Sequence, residues 1–154
     1  MLLNSALDRI QIACHDISQD LDDYRCLEYL NTSLQQVSSL LIAAQYPALV
    51  KEMIVHNGDE LPKNFMKSAG TYPLRLTNNK AEIIDDSESV RFRYWATPDM
   101  MTLDDEKLPY SHDAVNEVVV RGAIILAINE DEYDISQDTA LITSLQQAIA
   151  SAMA

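Results

Sequence analysis

The stretch "NEVVVRGAIILAINED", residues 116–131, decides how this chain can fold. Between Val118 and Ile128 the only polar side chain is Arg121. A helix on the surface of a small domain carries an apolar stripe and a wet back, whereas this one is apolar nearly all round. It is also too short for a bilayer, which takes about 20 apolar residues. The helix therefore needs cover on more than one side. Either the chain's own elements wrap it, or a second subunit lies against Val118, Val119, Ile124, Ile125 and Ile128. Gly122 and Ala123 would let another backbone come close.

Outward from this helix the period of three and four continues at both chain ends. Ser111 or Asp113 can cap the apolar helix, which is expected to end near Asn129. A last helix follows from about Ser136, with Leu141, Leu145, Ala148 and Ala152 as its stripe. At the other end Leu3, Leu7, Ile10, Cys14 and Ile17 mark a first helix. A second, from about Asp23 to Gln45, carries Leu27, Leu30, Leu34, Val37, Leu41 and Ala44, with Asp22 or Asp23 as its cap and Pro47 as its stop. The string "DISQD" occurs at 16–20 and 134–138, and "SLQQ" at 33–36 and 144–147. Their separations differ, so capping chemistry and chance explain them better than duplication.

Between these helices the period is two. "KEMIVHNGDELP" places Met53 and Val55 on one face of a strand that ends at the turn pair Asn57-Gly58. "TYPLRLT" sets Tyr72, Leu74 and Leu76 against Arg75, and Asn78-Asn79 turns the chain into "KAEII". Pro73 assigns its strand to an edge. "DDSES" is a further turn, and "SVRFRYW" alternates Val90, Phe92 and Tyr94 against Arg91, Arg93 and Trp95. The expectation is an α+β protein: a helical bundle of residues 1–47 and 99–154, with a small antiparallel sheet of four strands inserted at 48–98.

Length and composition bound the chemistry. A chain of 154 residues suits one domain, or one domain with a small insertion. Its net charge of −13 comes from acids spread along the chain, not from a tail. Such a field repels phosphate and disfavours tight nucleic-acid binding, yet suits a surface past which DNA slides without sticking. Cys14 and Cys26 have no zinc spacing and read as helical core residues. Neighbouring helical positions point about 100° apart, so Cys14 and His15 do not face each other as nucleophile and base. The pairs Asp85-Asp86 and Asp104-Asp105 lack the alternation of a calcium loop, and three scattered glycines form no phosphate loop. No catalytic residue, metal or cofactor is expected. No basic leader or membrane span is evident, and the chain is expected to fold in a reducing cytoplasm.

The face of Arg91, Arg93 and Trp95 reads in two ways. Arginine and tryptophan dominate binding hot spots, so it fits a partner interface, with the adaptable Met100 and Met101 following it. It fits equally a wet sheet face with Trp95 folded over arginine stems.

From "ALDRI" through "LEYLNTSLQQVSSLL", "NGDELPKNF…AGTYPLRL" and "RYWATP" to the apolar helix, the "NEDEYD" corner and the closing helix, the features keep one order. Across about residues 6–152 that order resembles the head–tail connector (adaptor) proteins of tailed bacteriophages, of the type with a β-insertion between helices. Members are structural proteins of the virion neck, made in the host cytoplasm, and have no catalytic residues. The resemblance implies a ring, typically of twelve copies, between the portal protein and a tail or nozzle protein. Double-stranded DNA would pass through it without specific binding. It implies subunit contacts through the apolar helix and a partner contact at Arg91, Arg93, Trp95, Met100 and Met101. The acids Asp104, Asp105, Glu130, Asp131 and Glu132 would face the channel, or else simply keep the outer surface soluble. In parts of the family a long C-terminal extension reaches the portal, whereas here the closing helix runs into "SAMA". The alternative from another class is a small cytoplasmic enzyme or regulatory ligand-binding domain with a pocket between sheet and bundle.

Overall fold

A computed structural model describes residues 1–14, 21–129 and 138–153. It has an α+β fold, and the chain divides into two compact units. One comprises Met1–Leu41 and Asp99–Ala154, the other Ile42–Pro98.

The first unit holds α1 (Leu3–Cys14), α2 (Asp23–Ala43) but for its last two residues, α3 (Asp113–Ile128) and α4 (Thr139–Met153). Each expected stripe is the buried one: Leu3, Leu7, Ile10 and Cys14 on α1, and Leu27, Leu30, Leu34, Val37 and Leu41 on α2. Leu141, Leu145 and Ala148 do the same on α4, while Ile17, Ser136 and the side chain of Ala152 lie outside what is described. Asp22 caps α2, its carboxylate accepting the Arg25 N–H at 2.9 Å. Asp138, the last residue of the second "DISQD", caps α4 through the Leu141 N–H at 2.9 Å.

Two helix ends differ from expectation. The cap of α3 is His112, not Ser111 or Asp113: its Nδ1 accepts the Ala114 N–H at 3.2 Å. Asp113 already lies within the first turn, where its carboxylate accepts from Asn116 Nδ2. Helix α2 stops at Ala43, because Gln45 turns left-handed at φ 61° and its N–H closes on the Ile42 carbonyl. Pro47 is therefore not the terminator; it opens a short 3₁₀ turn, and Ala44 is exposed outside the helix.

The connector after Asp99 is pinned by hydrogen bonds. Asn31 of α2 clamps Met101 at both ends, its Nδ2 donating to the Met101 carbonyl (2.9 Å) and its Oδ1 accepting the Met101 N–H (2.7 Å). Tyr110 shares a buried 2.5 Å hydrogen bond with Ser38. Fully buried Asn116 takes both backbone groups of Tyr110, accepting its N–H at 3.3 Å and donating to its carbonyl at 2.7 Å. A buried amide left without partners costs about 1–3 kcal/mol, and here both ends are met.

The second unit corrects the strand count. It holds six strands: β1 (Val50–His56), β2 (Asp59–Glu60), β3 (Phe65–Ser68), β4 (Leu74–Thr77), β5 (Lys80–Ile83) and β6 (Ser89–Ala96). They form two three-stranded antiparallel sheets, ordered β1-β6-β3 and β2-β5-β4, instead of one sheet of four. Strand β2 has only two residues, and β3 carries a bulge between Phe65 and Lys67 that breaks its alternation. Neither therefore shows a period of two. The expected turns are present: Asn78 and Asn79 both take positive φ in the β4–β5 hairpin, and Gly58 does so (φ 87°) after β1. Strand β4, entered from Pro73, is an edge. Val55, Phe92, Tyr94 and Ala96 of one sheet and Ala81 of the other share a single core, with Phe65, Tyr72, Leu74 and Leu76 packed against it. Phe92 is its centre, 5.1 Å from the Tyr72 ring in an edge-on contact and 5.6 Å from Tyr94.

Candidate assembly surfaces

Helix α3 is covered mainly by its own chain. It packs against α1 and α4, and the Ser33 hydroxyl of α2 donates to the Val119 carbonyl at 2.6 Å. Val115, Asn116, Val118, Val119, Val120, Gly122, Ala123, Leu126 and Ala127 are buried. At 100° per residue they sweep about 200° of the circumference. Val118 and Val119 thus belong to the chain's own core and are not free to meet a partner. Ile124 and Ile125 stay half-buried and Ile128 is 40% exposed. These three occupy the remaining arc with Glu117 and Arg121, an apolar strip only partly covered.

That arc is also polar where α1 and α4 reach it. Arg9 grips Glu117 bidentately, with both N–O distances 2.6 Å, and Arg121 donates to the Ser144 hydroxyl at 2.9 Å. The hydrogen bonds from Arg9 hold the Glu117 carboxyl below its ordinary value of 4.5, with the Arg9 and Arg121 charges assisting and desolvation opposing. A carboxylate with a depressed folded pKa adds stability that is complete above its unfolded pKa and is lost as pH falls through the folded one. Stability of the helical unit should therefore fall as pH drops through 4.5 and below, and Arg9→Gln should flatten that slope. Both side chains are about two-fifths exposed, so the effect is under about 1 kcal/mol. Urea midpoints of the two proteins, followed down the acid limb, check it; parallel curves would refute it.

The two thiols are core residues. Cys14 and Cys26 are buried and unpaired. Burial raises both pKa values, that of Cys26 to about 11, with Asp23, Cys14 and Asp22 adding to the rise. They are protonated thiols at neutral pH, the unreactive form.

In the β unit the alternation of β6 is as the sequence predicts. Val90, Phe92 and Tyr94 point inward, Arg91 and Arg93 are exposed and Trp95 is half-buried on the outer face. Register places Ile54 beside Arg91, Glu52 beside Arg93, and Val50 and Lys67 on either side of Trp95. Arg91 Nε meets Glu52 at 3.2 Å. A surface depression of about 420 Å³ lies at one end of this face, lined by Lys67, Ser68, Gly70, Arg93 and Trp95 among others.

Met100 is 66% exposed and lines a separate cleft of about 420 Å³ with Glu28, Asn31, Thr32, Gln36 and Leu126. Met101 is not a surface residue: the Asn31 clamp turns it inward and it is 5% exposed. Asp104 and Asp105 are exposed, Asp105 accepting the Thr102 N–H at 2.9 Å in a tight turn. Glu130, Asp131 and Glu132 lie outside the described residues.

Division into units exposes a charge pattern that the linear sequence hides. The β unit has seven Lys and Arg against seven Asp and Glu, and is neutral. The helical unit has four against seventeen, and so carries the whole −13. Among the described residues no cluster of three His, Cys, Asp or Glu could hold a metal ion, and no helix is long and apolar enough to cross a membrane. Comparison with protein-family models, curated proteins and solved structures gives no match.

Proposed function

We propose that this chain is a structural subunit of a phage neck, a head–tail connector that assembles as a ring between portal and tail and surrounds the DNA path. The reading rests on the order of features across residues 6–152 that resembles this family. Its support is an architecture of the same plan, a helical unit from both chain ends with residues 42–98 inserted. A heterologous ring contact uses two different flanks of each subunit and closes by rotation. The partly covered Ile124, Ile125 and Ile128 are the apolar residues of α3 left to supply one of them. The acidic surplus of the helical unit, seventeen Asp and Glu against four Lys and Arg, suits the channel wall, because carboxylates give passing phosphates no ion pairs.

Light scattering and low-magnification electron microscopy, with and without the cognate portal, test this. A ring in either condition is the expected result; a chain that stays monomeric and unbound beside the portal would overturn the proposal. The channel assignment has its own test in Asp104→Lys with Asp105→Lys. Assembled particles should then release DNA slowly or incompletely, most of all at about 0.01 M salt, where screening reaches only beyond about 30 Å. Normal release there would remove these two residues from the path.

A further inference from the structure

The outer face of the β1-β6-β3 sheet is unlike the rest of the chain. Arg91 is engaged by Glu52, which also lies opposite Arg93 in register, but among the described residues the side chains of Lys67 and Arg93 make no ion pair within 4 Å. Both flank the half-buried ring of Trp95 at the 420 Å³ depression, whose other walls include Ser68, Ala69 and the positive-φ Gly70. In a protein with 24 acids and 11 Lys and Arg, two unpaired cations beside the sole tryptophan are a local reversal of charge.

We propose that this depression is a docking site for an extended acidic protein segment, which sets a carboxylate against Lys67 and Arg93 and an apolar side chain against the Trp95 indole. The occupant's chemistry follows from complementarity. Two cations match one or two carboxylates, whereas a nucleic acid presents a run of phosphates, and the β unit has no surplus of Lys and Arg to follow it. Arg93 and Trp95 stand two residues apart on one strand, about 6.6 Å, the same-face repeat of an extended peptide. An acidic residue and an apolar one at alternate positions therefore meet both groups at once. Indole stacking and charge pairing at a rim combine packing area with orientation. The site does not depend on the ring: it is defined within residues 42–98, and the test uses the protein alone.

Trp95, the single tryptophan, reports occupancy directly. Its emission is followed while the acetylated hexapeptide EDELDE, its lysine counterpart KKKLKK, or a short thymidylate oligonucleotide is added. The expected result is a saturable change with EDELDE alone, weakening as salt rises from about 20 mM to about 200 mM. Lys67→Gln and Arg93→Gln should each weaken it about two- to fivefold, Arg93→Lys should restore part, and Lys80→Gln, on the other sheet, should leave it unchanged. Both glutamine positions are exposed, and either variant reads the site if the other misfolds. No saturable change, an equal response to KKKLKK, or indifference to both glutamine variants would overturn the proposal. So would equal affinity for the oligonucleotide, which marks a phosphate site, or an emission that follows protein concentration alone, which marks a second copy of this chain.

Discussion

Val119→Asp should unfold the helical unit, whereas Ile125→Asp with Ile128→Asp should leave it folded. Val119 is completely buried at the centre of α3, with α1, α2 and α4 around the helix. A carboxylate there would have no cationic partner, and an unpaired buried charge costs several kcal/mol, comparable to the 5–15 kcal/mol that typically holds a domain together. Loss of helical circular dichroism, or a collapse of the urea midpoint, is the expected reading; a wild-type midpoint would refute the central placement of α3. Ile125 and Ile128 keep part of their surface in water, so their carboxylates stay hydrated. If the ring reading is correct, the double variant folds as a monomer and fails to assemble. Normal rings from it would exclude this strip as the subunit contact.

The second large effect belongs to Phe92→Ala. Phe92 is completely buried, and the Phe65, Tyr72 and Tyr94 rings all lie within 6.0 Å of it. Truncating such a residue removes its transfer free energy and leaves a cavity, together about 3–5 kcal/mol. Trp95, three positions along the same strand, makes the loss visible as an earlier change in emission on denaturation. One position away on the opposite face, Arg91→Ala should shift the midpoint by no more than about 0.5 kcal/mol, because Arg91 is largely exposed and its partner Glu52 half-exposed. Equal losses from the two variants would mean that the inward and outward faces of β6 are wrongly assigned.

Much of this architecture is legible in residue spacing, since a buried stripe repeats every three to four residues and a buried strand face every two. That is why all four helices, the strong β6 alternation and the Asn57-Gly58 and Asn78-Asn79 turns could be read directly. Strands β2 and β3 could not: two residues show no period, and a bulge resets it. Spacing also records that a face is buried without recording by what. The apolar run on α3 required cover, but only tertiary packing assigned Val118 and Val119 to the chain's own helices and left Ile124, Ile125 and Ile128 partly open. Met100 and Met101 are chemically identical neighbours, and the hydrogen bonds of Asn31, 70 residues away in sequence, turned one inward and left the other out. Charge behaved in the same way. The sequence alone determined the total of −13; where the chain divides in space determined that the helical unit, its connector included, carries all of it and the β unit none. Local periodicity is written in neighbouring residues, whereas cover and field depend on groups distant in sequence that only folding brings together.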